Sequence, residues 1–385
     1  MARRKLIDAA WAKSWQRSMA KLASSGLKNA LRAARKAIKT APEAARKVVR
    51  KTAVAARSRQ PGSVDLGVAA GAGAGLRGGG DWLPGLVLGT SGARVYRLYR
   101  PPGLAADERR PLLLMLHGCN QTAASFAAST RMNRLAARER FWVLYIEQDR
   151  LANPQGCWQW FDTVSGRTDA ELTLLLKVLD QVCQSYPVDS ARLAVAGLSA
   201  GASMAALLAL KAPQRFAAVA MHSGVAPGLA RSKATVLGAM QGRRRATPLP
   251  AGLHLPPLLV IQGLADPVVA AANGAAAAAL WANAASQAGA SAGPVRNVQR
   301  GKRYPMTVTD FKQGRCLAVT RIEISRLGHA WSGGTAGQPF SDARGPDASR
   351  MVWAFVARQF RAAGTASHRP GLAGCLPSNS SKTEP

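Results

Sequence analysis

Cysteine is sparse: five occur in 385 residues, at 119, 157, 183, 316 and 375. They form neither CxxC pairs nor dense framework spacing, which excludes a cysteine-built structural zinc site and a disulfide-stapled mini-fold. The odd count leaves at least one thiol unpaired. No uninterrupted apolar stretch approaches the ~18 residues of a membrane span. The opening MARRKLIDAAWAKSW has charge but no continuous apolar core, so a secretory signal is not expected there. No internal repeat is present. Acidic residues are few as well, 20 against 52 Lys and Arg, for a formal net charge of +32. Hydrophobic residues nevertheless make up 48%, which excludes a chain disordered throughout.

The positive charge is unevenly placed. Residues 1–60 hold 17 Lys and Arg against only Asp8 and Glu43. Within them Ile7, Trp11, Trp15, Met19 and Leu22 recur at helical spacing, as do Leu27, Leu31, Ala34 and Ile38, so this segment reads as a basic amphipathic arm broken near Pro42. Residues 61–80 form a Gly/Ala-rich linker, 81–365 the main domain and 366–385 a polar tail. In the main domain short apolar runs alternate with helical patterns. The expected strands are 95–99, 112–116, 142–147, 193–197, 217–221, 258–262 and 320–325. Helices are expected over 169–184, with Thr168 and Glu171 as a capping box, and over 201–212. The fold class is α/β, a mostly parallel sheet flanked by helices.

One motif carries chemistry. Gly197-Leu198-Ser199-Ala200-Gly201 follows the apolar run RLAVA and opens a helix of small residues, the context of a nucleophile on a sharp strand-to-helix turn. A second copy, Gly289-Ala290-Ser291-Ala292-Gly293, follows an Ala-rich helix and precedes Pro294; it reads as a loop. A serine hydroxyl needs a base to take its proton. Of the histidines after Ser199, His368 falls in the tail, His254 in a proline-rich approach and His222 in a packed HSG turn. His329, in GHAWSGG at a strand-to-loop switch, is the expected base. Asp266, just beyond the run LLVIQG, is the expected orienting carboxylate; Asp310 reads as a hairpin residue and Glu323 as pointing out of a strand. Acyl transfer also needs two N–H donors at the developing oxyanion. Ala200 and Cys119, the latter in the turn after PLLLML, are expected to supply them.

The blocks LHGCNQTAASF, CWQWF, AGLSAGASM, QGLADPVV and GHAWSGG resemble, in this order, the polyhydroxybutyrate depolymerase family of esterases. The resemblance covers about residues 90–360. It implies an α/β-hydrolase fold with Ser199, Asp266 and His329 as catalytic triad, Cys119 in the oxyanion loop, and no metal or cofactor. The implied substrates are short hydroxyalkanoate polyesters or oligomers. A feruloyl or acetylxylan esterase is the alternative, and a basic binding protein acting through its arm is the alternative of another class. The loops after neighbouring strands would bring Cys119 and Cys157 together, as a disulfide or as two packed thiols. Trp158, Trp160, Phe161 and Trp331 would offer aromatic faces to substrate, with Trp160 or Phe161 the first to be core instead. The arm suits an anionic lipid or granule surface better than nucleic acid, because DNA would satisfy its charge but not its tryptophans. Its start favours a cytoplasmic or granule-associated protein, whereas the family resemblance favours a secreted one.

Overall fold

A computed structural model of the chain describes residues 79–250, 253–285 and 289–366. The basic arm, residues 61–78 of the linker and, Ala366 apart, the tail lie outside the described residues. Thirteen strands and seven α-helices occur among those described.

The centre of the sheet is built from apolar runs that are buried throughout, apart from Arg110 of β3 and residues 189–192 of β5. They are β3 (Arg110–Leu116), β4 (Trp142–Ile146), β5 (Val188–Leu198), β6 (Ala218–His222) and β7 (Leu258–Gly263). Such runs suit parallel strands covered on both faces. At one edge lie β1 (Asp81–Gly89) and β2 (Gly92–Arg100). At the other lie β8 (Ser291–Ala292), β9 (Arg296–Val298), β10 (Met306–Gln313) and β11 (Cys316–Ile324). The order is β1-β2-β4-β3-β5-β6-β7-β11-β10-β8, with β9 also on β10. The pairs from β4 through β3, β5, β6 and β7 to β11 are parallel; β2 meets β4 antiparallel. This is the α/β-hydrolase arrangement. Two short strands, β12 (Trp331–Ser332) and β13 (Ser341–Asp342), pair separately.

Helices α1 (Ala123–Thr130), α2 (Met132–Glu139), α3 (Arg167–Ser185), α4 (Ala200–Lys211), α5 (Lys233–Met240), α6 (Ala272–Ala284) and α7 (Ala348–Ala366) fill the crossovers and the end of the domain. On α7, Trp353 stacks on Phe141 at 3.6 Å.

All seven expected strands are present, but β1 was not expected. Pro84 and Gly85 interrupt its pattern, and both are tolerable because β1 is an edge strand. Gly85 lies directly under the Tyr96 ring of β2, where a side chain would collide. Ser291 corrects a second expectation. It sits in a two-residue edge strand paired with Lys312, not in a loop, and it is exposed.

The expected capping box at α3 does not form. Its N-cap is Gly166, with φ 77° and no side-chain cap. Thr168 Oγ1 instead donates to the Gln159 carbonyl. Glu171 turns inward, where it meets Arg94 of β2 at 3.1 Å, both side chains almost fully buried. The same carboxylate accepts hydrogen bonds from Gln148 Nε2 and from the Gln159 amide at 2.9 Å. Burial raises the Glu171 pKa, while the hydrogen bonds and the Arg94 charge oppose that shift. One buried acid thus ties the second strand, a long helix and the loop after β4 together. Removing it leaves Arg94 unpaired in the interior, so Glu171→Ala is expected to cost about 3–5 kcal/mol of stability. Urea unfolding of the variant beside the native chain measures this; a loss under about 1 kcal/mol would contradict the bridging role.

Candidate active site

The site begins with backbone crowding. At the junction of β5 and α4, a β-carbon on Gly201 would lie 2.1 Å from the Leu116 carbonyl oxygen, and one on Gly197 would lie 2.3 Å from the Gly201 backbone. Only glycine fits at either position. Between them Ser199 adopts φ 55° and ψ −121°, a conformation rare for a residue with a side chain. Its amide is tied to the His222 carbonyl at 2.9 Å.

The Ser199 Oγ lies 2.9 Å from His329 Nε2, and His329 Nδ1 lies 2.8 Å from Asp266 Oδ2. With Nδ1–H donating to the carboxylate, Nε2 is left as acceptor for the serine hydroxyl. The Asp266 side chain is fully buried. Its other oxygen accepts the amides of Val268 and Val269 at 2.8 and 2.9 Å, which fixes the carboxylate in its own turn. The strands β7 and β11 bring these two residues together: the Ala265 amide donates to the Leu327 carbonyl at 3.1 Å. The three residues expected from the sequence are therefore hydrogen-bonded in series.

The turn after β3 lies against the serine. A β-carbon on Gly118 would be 3.5 Å from Ser199 Cβ. Gln121 Oε1 accepts the Gly118 amide at 2.9 Å, and the Asn120 amide donates to the Gln155 carbonyl at 2.7 Å. Cys119 and Cys157 form a disulfide with their Cα atoms 4.4 Å apart, joining this turn to the loop after β4. Ala200 is the first residue of α4, so its N–H has no partner within the helix. Cys316 is also disulfide-bonded, and Cys183 is a free thiol whose pKa burial raises.

Two buried histidines brace the site, and the sequence reading assigned neither a role. His117 Nε2 accepts the Gln148 amide at 3.1 Å, so Nδ1 carries the proton given to the Gly118 carbonyl at 2.8 Å. Burial lowers its pKa to about 4, the Gly118 hydrogen bond opposes this, and the nearby Arg150 charge lowers it further. His222 Nε2 accepts the Ser332 amide at 3.1 Å, three residues beyond His329, while Nδ1 meets Ser223 Oγ at 3.1 Å. Its pKa falls to about 3, chiefly through burial and then through the neighbouring His329. A histidine directly after a run of buried strand residues was the only sequence signal for either.

The aromatic expectations need correction. Trp331 is 1% exposed. It stacks on His222, meets Phe126 edge-on and donates its indole N–H to Ser349 Oγ. Trp158 is 0% exposed and donates to the His117 carbonyl at 2.9 Å. Both are core residues beneath the site, because each indole N–H finds its partner inside the fold. Trp160 and Phe161, expected to be the first to be core, are indeed buried, at 8% and 5% exposure, and pack edge-to-face.

The strand order and the strand–turn–helix at Ser199 define a hydrolase of the α/β-hydrolase fold. The family model "Esterase PHB depolymerase" matches residues 94–295, a little over half of the chain. The chain belongs to this family of carboxylic ester hydrolases. It is 34% identical over 125 residues to poly(3-hydroxyalkanoate) depolymerase C of Paucimonas lemoignei, covering 32% of this chain and 30% of that protein. It is 30% identical over 135 residues to feruloyl esterase B of Neurospora crassa, covering 34% of this chain and 44% of that one. The matches thus span less than half the length of either relative. Among solved structures, acetyl xylan esterase from Aspergillus awamori is similar in fold, with a TM-score of 0.52 and 18% identity over 65% of this chain and 94% of that one.

The two neutral histidines set a pH dependence of stability. The unfolded chain takes up protons near pH 6.5, whereas the native rings stay neutral down to about 4 for His117 and about 3 for His222. Stability is therefore expected to fall as pH drops below 6.5, by about 2–3 kcal/mol per ring at pH 4.5. Chemical denaturation at pH 7 and pH 4.5 measures the loss. His117→Gln should show a smaller loss than the native chain, and an equal loss would remove His117 from this account.

Proposed function

We propose that the chain is a serine esterase that cleaves short hydroxyalkanoate esters, polymer or oligomer, through an acyl-enzyme. The hydrogen-bonded series Ser199–His329–Asp266 on a strained strand-to-helix turn carries this reading. His329 Nε2 takes the Ser199 proton as Oγ bonds to the ester carbonyl carbon. Asp266 holds the imidazole in the required tautomer and stabilises its charged form. The carbonyl oxygen, now negative, is met by the Cys119 and Ala200 amides. Collapse expels the alkoxide, which receives the proton from His329. Water then attacks the acyl group, giving its proton to His329; as the Ser199–acyl bond breaks, His329 returns that proton to Ser199 Oγ and the acid leaves.

The polyester assignment rests on the family and on the similarity to poly(3-hydroxyalkanoate) depolymerase C. The similarity to feruloyl esterase B supports a second reading, a carbohydrate-linked ester. A panel of p-nitrophenyl butyrate, amorphous polyhydroxybutyrate and a feruloyl ester separates them. Ser199→Ala is expected to abolish hydrolysis across the panel, a loss of about 10⁴-fold or more in kcat. Ser291→Ala is expected to change nothing measurable; the reverse outcome would overturn the nucleophile.

In the same reading residues 1–60 form a surface-binding arm. Its charge attracts an anionic lipid or granule surface, and its apolar stripe buries there. Deletion of residues 1–60 is expected to leave turnover of soluble esters within about two-fold and to reduce co-sedimentation with anionic vesicles, in a salt-dependent way. Equal sedimentation of both forms would remove that role.

A further inference from the structure

The loops that follow the parallel strands meet at the end of the sheet that carries Ser199, and they are basic. β4 leads into 147–166, β6 into 223–232 and α5, β7 into 264–271, and β11 into 325–330. Backbone hydrogen bonds join these loops in series. The Val164 amide donates to the Arg231 carbonyl at 3.3 Å, Ala270 to Met240 at 2.8 Å and Ala265 to Leu327 at 3.1 Å. The segment after α5 folds back on the same end, where Arg244 Nε donates to the Leu229 carbonyl at 2.8 Å.

Arg150, Arg231, Lys233, Arg243, Arg245 and Arg326 lie on this rim, all exposed. No ion pair to any of the six occurs among the described residues. Four acids lie in the same loops, each with a local partner. Asp162 is buried beside Arg167, Asp266 holds His329, Glu147 accepts the Ala123 amide and Asp149 the Leu151 amide. From Ser223 to Pro257 the sequence has no acidic residue at all. Away from this end several arginines are matched: Glu108 with Arg110 and Arg140, Asp180 with Arg215, Asp189 with Arg192, Asp310 with Arg296. Exposed Lys177, Arg300, Lys302, Lys312 and Arg315 make no ion pair among the described residues. Unpaired cations thus occur elsewhere too, but six of them gather in the segments that follow β4, β6 and β11. Exposed apolar side chains sit among it: Leu151, Val164 and Leu264.

We propose that this rim selects esters that carry a free carboxylate, namely short oligo(hydroxyalkanoates), over neutral esters of the same length. The inference rests on the esterase reading above. An oligomer of this kind ends in a carboxylate a few atoms from its nearest ester bond, and its backbone bears small alkyl groups. Guanidinium groups hold carboxylates through charge-assisted, often paired hydrogen bonds, and a net-positive rim concentrates anions at the mouth. The leucine and valine side chains meet the alkyl groups. Each turnover leaves a shorter chain that still ends in a carboxylate, so the same contact serves successive cuts.

The test uses the full chain with three substrates: a 3-hydroxybutyrate trimer with its free carboxylate, the methyl ester of that trimer, and p-nitrophenyl butyrate. The kcat/KM for the free acid is expected to exceed that for the methyl ester about ten-fold in low salt, and the ratio should approach one in about 0.5 M NaCl. The combined variant Arg231→Gln/Arg243→Gln/Arg245→Gln should lower the ratio in low salt as well. The salt series on the native chain stands on its own if that variant does not fold. A ratio of one or less in low salt, or one that neither salt nor the variant moves, overturns the proposal. Hydrolysis of p-nitrophenyl butyrate with no acid preference leaves the esterase reading intact and sinks only the rim. No hydrolysis of any substrate overturns both. Faster deacetylation of an acetylated glucuronoxylan than cleavage of the trimer would assign the rim to an acidic polysaccharide and overturn the oligomer.

Discussion

The first turn of α4 approaches the carboxyl end of β3 so closely that the chain has no room for a β-carbon at residue 201. Much of the site follows from that contact. It forces the reversal between strand and helix into one residue, and Ser199 absorbs it with a positive φ. The serine is thereby lifted above the sheet edge, and the turn after β3 is held against its side chain. A looser junction would spread the reversal over several residues, and the hydroxyl would no longer meet His329. The strain at Ser199 persists because its neighbours on both sides are fixed, by β5 in the centre of the sheet and by a helix whose first turn is buried.

A second layer sets the orientation of the groups around the serine. Trp158 and Trp331 approach from beneath different parts of the site and each anchors one histidine, His117 by a hydrogen bond to its carbonyl and His222 by stacking. Those histidines receive backbone amides from Gln148 and Ser332. Because they act as acceptors, they work only in the neutral form, which burial secures. The buried pair Arg94–Glu171 extends the same bracing outward, since Gln148 and Gln159 both reach Glu171.

Much of this was legible in the sequence, for a physical reason in each case. The central strands are buried on both faces and so read as unbroken apolar runs, as in LLLML and WVLYI. Gly197 and Gly201 stand where packing tolerates nothing else, so the elbow shows as a motif. Asp266 and His329 follow strands that pair in register, which makes their meeting predictable from topology once β7 and β11 are recognised. The side-chain directions were not legible. A tryptophan next to a site residue can point to solvent, to substrate or to the core, and local spacing does not distinguish these at Trp158 and Trp331. Glu171 matched a capping pattern because Thr-x-x-Glu at a helix start usually does; the arginine that draws it inward is 77 residues away in sequence. The edge hairpin was hidden by Pro84 and Gly85, whose tolerance depends on which strand ends up at the edge.

His222 joins Ser199 and the loop of His329 through the main chain. Its carbonyl holds the Ser199 amide, and its ring holds the Ser332 amide on the loop of His329. A local opening that releases one of these amides disturbs the residue that secures the other. Ser199 and the 329–332 loop therefore belong to one cooperative unit for amide exchange, although 130 residues separate serine and imidazole along the chain. Thermal motion then carries the two as a body and leaves their separation nearly constant. The hydroxyl stays within reach of its acceptor through fluctuations that would part groups mounted on independent loops.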